Sequence, residues 1–251
     1  MKTTTNVCVA ICASLILFVG AGQLQAQSDI FDNFESYAEG SFLGSQGGWF
    51  TNTDISILND PTSSGGGNWA DGIDAPGSSG IWMSQPYDVS QVPAGSTVTF
   101  EAEVFLRSTG SNRSHNDQIG FFTGQTAGGY TNGIYWNTNG GATTIQVLNG
   151  GVGGTSQVVS EEPSNFDTWI PLSIELNTAT GSATYTANGF SVTDTGLDFS
   201  ALTHVGQTMD LRSGAAGIAE FNVYVPEPST VMLLGAGLLG IALGWRRHRQ
   251  R

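Results

Sequence analysis

Residues 27–225 contain no cysteine and no lysine, because Cys8, Cys12 and Lys2 all lie in the first 26 residues. Without cysteine this segment forms no disulfide, and its stability must come from packing. Its twenty aspartates and glutamates face only three arginines, which gives a net charge of −17. Such an acidic surface should repel nucleic acid and anionic lipid, so both are poor partners of this segment, and we predict no nucleic-acid partner.

Motifs for catalysis and transition-metal binding are also scarce. The histidines, His115, His204 and His248, are far apart and offer no zinc-binding pair, and no Gly-x-Ser-x-Gly elbow occurs. The nearest candidate catalytic pair is Glu101 and Glu103, whose side chains share one face of a predicted strand about 7 Å apart. Two such carboxylates can hydrolyse a glycoside. The polar side of a strand is the plainer interpretation, and we predict no enzymatic activity.

The first 26 residues have the pattern of a secretory signal peptide. Lys2 precedes an apolar stretch at residues 7–20, and Ala26 offers a small residue at the cleavage position. We predict cleavage after Ala26 and export of the mature chain. Large residues precede both Cys8 and Cys12, so the sequence does not indicate a lipoprotein signal.

The C-terminus carries three signals in a fixed order. The first is a proline-rich segment: Val225, Pro226, Glu227, Pro228, Ser229 and Thr230. Because its prolines fix φ and lack a backbone N–H donor, the segment should be extended and accessible to a processing enzyme. An apolar stretch at residues 231–245 is a predicted transmembrane helix, about 22 Å long against a bilayer core of about 30 Å. A basic tail follows at residues 246–251. Together with the tryptophan before it, this tail should stop the segment at the membrane: Trp245, Arg246, Arg247, Arg249 and Arg251. A span this short suits a temporary anchor.

This tail resembles the PEP-CTERM sorting signal of Gram-negative bacteria, over about a tenth of the chain. The resemblance implies export, transient retention in the inner membrane and processing by a membrane protease of the exosortase type. It also implies a place in the cell envelope or outside the cell, in exopolysaccharide and biofilm production, with exopolysaccharide as a partner. An ordinary C-terminal anchor, the alternative, would explain the apolar stretch and the arginines but not the Pro-Glu-Pro beside them.

Short alternating strands separated by glycine- and asparagine-rich turns dominate residues 27–225. Apolar side chains occupy every second position in residues 97–106 and 169–176, where Pro171 indicates an edge strand or a strand start. Asn188-Gly189 and residues 139–141 are predicted hairpin turns, and residues 217–225 are the predicted last strand. About a dozen strands favour an all-β, antiparallel, two-sheet jelly roll. The predicted domains are a signal peptide at 1–26, a β-sandwich at 27–225 and a sorting signal at 226–251.

A second resemblance concerns the start of the sandwich. Residues 31–40, Phe-Asp-Asn-Phe-Glu-Ser-Tyr-Ala-Glu-Gly, and Gly47-Gly48-Trp49 after them are similar to the first strand and loop of concanavalin A-like and laminin-G-like sandwiches. The similarity covers about twenty residues and implies a fold more than an activity. A glycoside hydrolase or lyase of that fold is the alternative function. Laminarinase-like enzymes carry a Glu-x-Asp-x-Glu string, which this sequence lacks.

Two groups of carboxylates are candidate Ca²⁺ ligands. The glycine-containing loop at residues 68–74 offers Asp71 and Asp74, without the full EF-hand spacing. The resemblance to jelly rolls implies Ca²⁺ between the first and last strands, with Asp32 or Glu35 near Glu220. The alternative is a turn in which the carboxylate bonds its own backbone.

Aromatic residues near Asn, Asp and Gly give the remaining indication of function. Trp69, Tyr135 and Trp136 are candidate glycan-binding residues, because rings stack on sugar faces and polar side chains bond hydroxyls. A sandwich without disulfides also needs large rings in its core, which is the alternative. We expect an exported envelope or matrix protein that binds glycans or is purely structural. A groove joining Tyr135 or Trp136 to Glu101 and Glu103 would favour sugar binding or cleavage, and a threonine-covered face would favour a structural role.

Overall fold

The computed structural model describes residues 29–44, 46–52, 54–59, 67–71, 81–107, 116–124, 130–139, 142–149, 156–161, 168–209 and 215–226. Within these residues the chain forms fifteen strands and one 3₁₀ turn at Val89–Gln91. The strands are β1 Ile30–Asp32, β2 Phe50–Thr51, β3 Ser56–Asn59, β4 Asn68–Asp71, β5 Ile81–Pro86, β6 Thr97–Arg107, β7 Asn116–Phe122, β8 Tyr130–Asn139, β9 Ala142–Asn149, β10 Ser156–Glu161, β11 Trp169–Asn177, β12 Ser182–Ala187, β13 Phe190–Thr195, β14 His204–Met209 and β15 Ala215–Tyr224.

The strands form two sheets. Sheet A has the order β13-β12-β11-β6-β15-β4-β3, and β1 also pairs with β15. Sheet B has the order β10-β9-β8-β7-β14-β5-β2. Every pairing between the described strands is antiparallel. The predicted all-β architecture of two antiparallel sheets is therefore confirmed.

Alternation along the strands places one side of each sheet in the core. In β11, every second residue from Ile170 to Leu176 is buried, as the sequence pattern predicts. Aromatic rings fill the space between the sheets: Phe221 lies 5.0 Å from Phe100 and 4.7 Å from Trp49, centroid to centroid, in edge-on arrangements. Each such buried side chain contributes about 1.5–3 kcal/mol through burial alone. Packed rings thus stabilise a domain that has no cysteine to form disulfides.

The predicted hairpin at Asn188-Gly189 is confirmed. These two residues join β12 to β13 with φ values of 48° and 83°. A two-residue hairpin turn of this hand needs positive φ at both positions, and asparagine and glycine tolerate it best. The second predicted hairpin also forms, because β8 and β9 pair up to the Asn139–Ala142 pair.

Pro171 departs from the prediction of an edge strand. Its strand, β11, pairs with β6 on one side and β12 on the other, so the strand is internal. The β12 pairing begins only at Leu172, and the Pro171 carbonyl accepts a hydrogen bond from the Asn188 N–H at 3.1 Å. Since N–H and C=O of one residue point the same way in an antiparallel ladder, the missing donor faces the turn beyond β12. The position agrees with the other prediction, a proline near the strand start.

The last described strand, β15, lies inside sheet A. It pairs with β6 along most of its length, with β4 near its start and with β1 near its end. This confirms the predicted last strand. Two of the predicted segments, the signal peptide at residues 1–26 and the membrane helix with its basic tail at residues 231–251, lie outside the described residues. In the part of the chain that is described, no helix is long and apolar enough to cross a membrane.

Candidate functional site

Glu101 and Glu103 lie on the outward side of sheet A. Their neighbours Ala102 and Val104 are buried in the core, whereas Glu101 is exposed and Glu103 partly exposed. Burial, followed by the charge of Glu101, raises the pKa of the Tyr224 hydroxyl on the adjacent strand. The two glutamates therefore form the polar side of a long strand.

Hydroxyl side chains cover the same side of sheet A beyond these glutamates. Thr184 and Thr193 share a hydrogen bond of 3.0 Å between β12 and β13, and Thr186 and Ser191 share one of 2.8 Å. In register, Glu101 is opposite Ser173, which is opposite Thr186. This is the threonine-covered face that favours a structural role for sheet A.

Tyr135 and Trp136 belong to the other sheet, so the structure does not bring them beside Glu101 and Glu103. Both lie in β8 of sheet B, where Ile134 is buried in the core. Because successive strand positions alternate between the two sides, position 135 is on the outward side and position 136 on the inward side. Of the two, only Tyr135 occupies an outward position.

A row of polar and aromatic residues crosses the outward side of sheet B at this level. Register pairs Trp82 with Thr208, Thr208 with Gln118, Gln118 with Tyr135, and Tyr135 with Gln146. We call these five positions the outward row. Each alternates with a core neighbour, such as Met83 beside Trp82 and Ile119 beside Gln118. Five adjacent strands at about 4.8 Å spacing make the row about 19 Å long.

Beside the outward row lies a strip without side chains. Gly206, Gly120 and Gly133 are paired in register on three adjacent strands, and Ser84 continues the line. Gly120 has φ of 152°, and a Cβ there would collide with the carbonyl oxygen of Asn132. The three glycines are buried although they lie on the outward side. The atoms nearest to a Cβ added at Gly120 or Gly206 belong to the backbone of the neighbouring strand, so the strands lie close together along this strip.

The composition of sheet B limits what this side can bind. Its seven strands contain no lysine or arginine and ten asparagines and glutamines, of which Gln85, Asn132 and Gln207 are buried on the inward side. Amides offer both donors and acceptors, which suits hydroxyl groups. The partly buried His204 has its pKa lowered by burial, so it is neutral at pH 7. In the outward row, positions 118 and 146 carry such amides.

Trp69 is not available as a glycan-binding residue, contrary to the prediction. Its ring is 1 % exposed and contacts Phe105 and Trp169 edge-on, each at 5.7 Å between centroids. Its Nε1–H donates to the Asn59 carbonyl oxygen at 3.0 Å. The ring fills the space over Gly217, where any Cβ would collide with it. Trp69 is therefore buried by packing on the outward side of sheet A.

The carboxylate of Asp32, a predicted Ca²⁺ ligand, accepts three hydrogen bonds from the protein. The donors are the Phe34 N–H at 2.8 Å, the Tyr37 hydroxyl at 2.6 Å and the Trp49 Nε1–H at 2.7 Å. Burial and the Asp32 carboxylate both raise the pKa of Tyr37. Asp32 thus organises the first loop of the sandwich, a role close to the predicted turn alternative.

The other Ca²⁺ candidates are dispersed. Glu35 accepts a hydrogen bond from the Asn68 N–H at 2.8 Å, and Glu220 is exposed on β15. Asp71 ends β4, and Asp74 lies outside the described residues. In the ranges described, no group of three or more His, Cys, Asp or Glu residues is placed to hold a metal ion.

The sorting segment begins inside the folded domain. Val225 packs partly buried against the core, and its N–H donates to the Asp29 carboxylate at 3.2 Å. Pro226 is exposed. Residues 227–230, the rest of the predicted motif, lie outside the described part.

These features define a β-sandwich domain whose last strand runs directly into a C-terminal processing signal. Residues 225–249 match the PEP-CTERM protein-sorting motif. The motif indicates an exported protein that passes through the membrane to the cell envelope and is processed by an exosortase. No curated protein matches the sequence significantly.

Solved structures share the fold of the sandwich. The carbohydrate recognition domain of Emp47p matches with a TM-score of 0.56 at 10% identity, covering 78% of this chain and 94% of that one. Lectin II from Ulex europaeus matches at 0.55 and 10% identity, with coverages of 80% and 99%. A carbohydrate esterase from the Shiga toxin-encoding bacteriophage phi24B matches at 0.52 and 12% identity, with coverages of 71% and 90%. The predicted two-sheet jelly roll is thereby confirmed as a fold.

Proposed function

We propose that this protein is an exported, non-enzymatic glycan-binding protein of the cell envelope or extracellular matrix, in an exopolysaccharide or biofilm context. The segment at residues 231–245 anchors it temporarily in the inner membrane, and an exosortase-type protease removes the tail. The match at residues 225–249 supports the sorting half of this proposal. The lectin-like fold is compatible with the binding half but does not carry it.

The observation that carries glycan binding is the outward row on sheet B. It combines aromatic positions 82 and 135 with amide and hydroxyl positions 118, 146 and 208 in one line across five strands. Sugar rings present apolar faces and hydroxyl edges, which this mixture matches. The glycine strip runs alongside the outward row and carries no side chain at three paired positions, which suits a chain-shaped ligand lying across the strands.

Charge selects an uncharged polysaccharide as the ligand class. Sheet B has no lysine or arginine, and residues 27–225 carry a net charge of −17 from twenty acidic residues against three arginines. A polymer of uronates or sulfated sugars would meet net repulsion and would find no cation on the described strands of sheet B. Neutral hexose polymers carry no such penalty.

We assign no catalytic role to Glu101 and Glu103. They lie on the hydroxyl-covered side of sheet A, on the opposite sheet from the outward row. A hydrolase or lyase needs its carboxylates where the sugar binds. The same hydroxyl-covered side of sheet A favours a structural role as the second candidate function.

Binding of the purified full-length protein to neutral and acidic polysaccharides tests the proposal. Trp82→Ala should weaken binding to a neutral glucan by about tenfold, the effect of losing one aromatic anchor. Phe190→Ala is the matched control, because Phe190 is 51% exposed but lies on β13 of sheet A. Failure to bind any neutral or acidic polysaccharide would leave the structural role. Equal losses in both variants would place binding elsewhere than the outward row.

A further inference from the structure

The two ends of the sandwich domain meet. β1 runs antiparallel to β15 with Ile30 opposite Val223, and the Val225 N–H bonds the Asp29 carboxylate. The predicted signal-peptide cut after Ala26 lies three residues before Asp29. The start of the mature chain and the start of the sorting motif therefore leave the domain side by side.

Three loop segments, at residues 87–96, 178–181 and 196–203, lie at the same end of the sandwich, because the start of β6 pairs with the ends of β11 and β15. They are bonded to one another through the backbone: Tyr87 N–H to Thr203 O at 2.9 Å, Thr178 N–H to Ser96 O at 3.0 Å, and Leu197 N–H to Gly181 O at 2.8 Å. We call these segments, with Asp29 and Val225, the motif-proximal end. Because backbone hydrogen bonds join these loops to one another, they form one continuous surface.

An exposed pair of rings lies beside the motif at this end. Phe31 is 68% exposed, the most exposed large apolar side chain among the described residues. Its ring stacks on Tyr224 with centroids 6.0 Å apart and planes inclined by 19°. Tyr224 is the last residue of β15, two residues before Pro226. The ring pair is thus fixed to the end of β15, directly before the motif.

Chain length brings any processing enzyme against this surface. Residues 226–230 of the motif reach at most about 17 Å from Val225 when fully extended. The predicted membrane segment starts at residue 231. An enzyme that cuts within the motif has to fit between the domain and the bilayer, so it must contact the motif-proximal end.

The charge of the motif-proximal end indicates whether it contacts the lipid bilayer or a protein. The charged side chains of the motif-proximal end are Asp29, Asp88 and Asp198, and its segments contain no lysine or arginine. The backbone N–H of Ser200 lowers the pKa of Asp198, which keeps it ionised. An acidic end repels an anionic bilayer and favours a protein partner with an apolar patch and a basic rim.

We propose that the Phe31–Tyr224 ring pair is a docking surface for the sorting protease. The inference rests on the proposed processing of the motif and adds a contact outside it. The protease then reads two things: the Pro-Glu-Pro segment and a folded domain end. An unfolded chain presents the first without the second, because the pair forms only when β1 lies on β15.

The test is a pulse-chase of the full-length precursor in cells that contain the protease, with the ratio of precursor to processed form as the readout. Phe31→Ala should slow processing about tenfold, as expected for truncating an aromatic anchor. Phe31→Tyr keeps the ring and should process at the parent rate. Phe190→Ala removes another exposed phenylalanine, which lies on β13, and should not change the rate of processing. Unchanged thermal unfolding of the Phe31→Ala precursor verifies that the domain still folds.

The outcomes separate the two proposals. If Glu227→Ala is processed like the parent, the proposed sorting function fails. If Glu227→Ala blocks processing but Phe31→Ala does not slow it, the docking surface fails alone. If Phe31→Ala changes membrane retention of the precursor in cells without the protease, the rings contact lipid, and the docking proposal is again wrong.

Discussion

Replacing Gln207 by methionine should stabilise the sandwich. Gln207 lies on β14 between Met83 and Ile119 of the neighbouring strands, and its side chain is 0% exposed. Neither its Nε2 nor its Oε1 has a hydrogen-bond partner in the described structure. No protein group among the described residues therefore replaces the water that this amide bonds in the unfolded chain.

The expected gain follows from that unpaired amide. Burying a polar group without a partner costs about 1–3 kcal/mol. Methionine has nearly the same length and volume, so it removes the polar atoms with little change in packing. We expect the free energy of unfolding to rise by about 1–3 kcal/mol. For a domain of this size that raises Tm by about 2–4 °C per kcal/mol.

Asn132 provides the matched control in the same sheet. It is also a buried amide, 2% exposed, but its Nδ2 donates to the Tyr185 hydroxyl at 3.0 Å across the core. Asn132→Leu should therefore lower the free energy of unfolding by about 1 kcal/mol. Urea and thermal unfolding of both variants at one pH give the two differences directly.

Opposite signs for the two variants are the expected result. A Gln207→Met protein less stable than its parent by about 1 kcal/mol or more would show that the amide is bonded in the folded state. The same sign for both variants would show that side-chain shape, and not hydrogen bonding, sets the energetics of this core. Either result would refute the argument.

Three further predictions concern other parts of the domain. Asp32→Ala removes the acceptor of three hydrogen bonds and should lower the free energy of unfolding by about 3 kcal/mol in a urea titration, whereas Glu35→Ala, which removes one exposed bond, should change it by less than about 1 kcal/mol. Gly189→Ala places a side chain on a residue with φ of 83° and should lower the free energy of unfolding by about 1 kcal/mol, whereas Gly189→Asn should lower it less. Burial lowers the pKa of His204, so the unfolded chain takes up its proton first and stability should fall as pH drops below about 6.5. His204→Gln should weaken the dependence of the urea midpoint on pH between pH 7 and 5. If the pH dependence is the same in this variant and the parent, His204 is not the group responsible.

Local patterns predicted the elements that depend on neighbours in sequence. Period-two alternation identified β6 and β11, because one side of each strand is buried along its whole length. The Asn188-Gly189 turn was predicted because its conformation is decided within two residues. The tail was predicted because a sorting signal is read as a linear segment.

Register between distant strands could not be predicted in this way. Gly206, Gly120 and Gly133 form one strip only because β14, β7 and β8 pair at those positions. The predicted exposure of Trp69 failed for the same reason, since its ring packs over Gly217, which lies far away in sequence. Nothing near either residue in the sequence records that they meet.

The internal position of β15 has a consequence for how the protein is made. The strand that holds β6, β4 and β1 together is the last one translated, and β1 must wait for it across nearly the whole domain. A chain that stops before residue 215 leaves three strands with open edges, which are sites of aggregation and proteolysis. Folded domains therefore exist only on chains translated to within a few residues of the sorting motif. We expect incomplete products to remain unfolded and to be open to degradation.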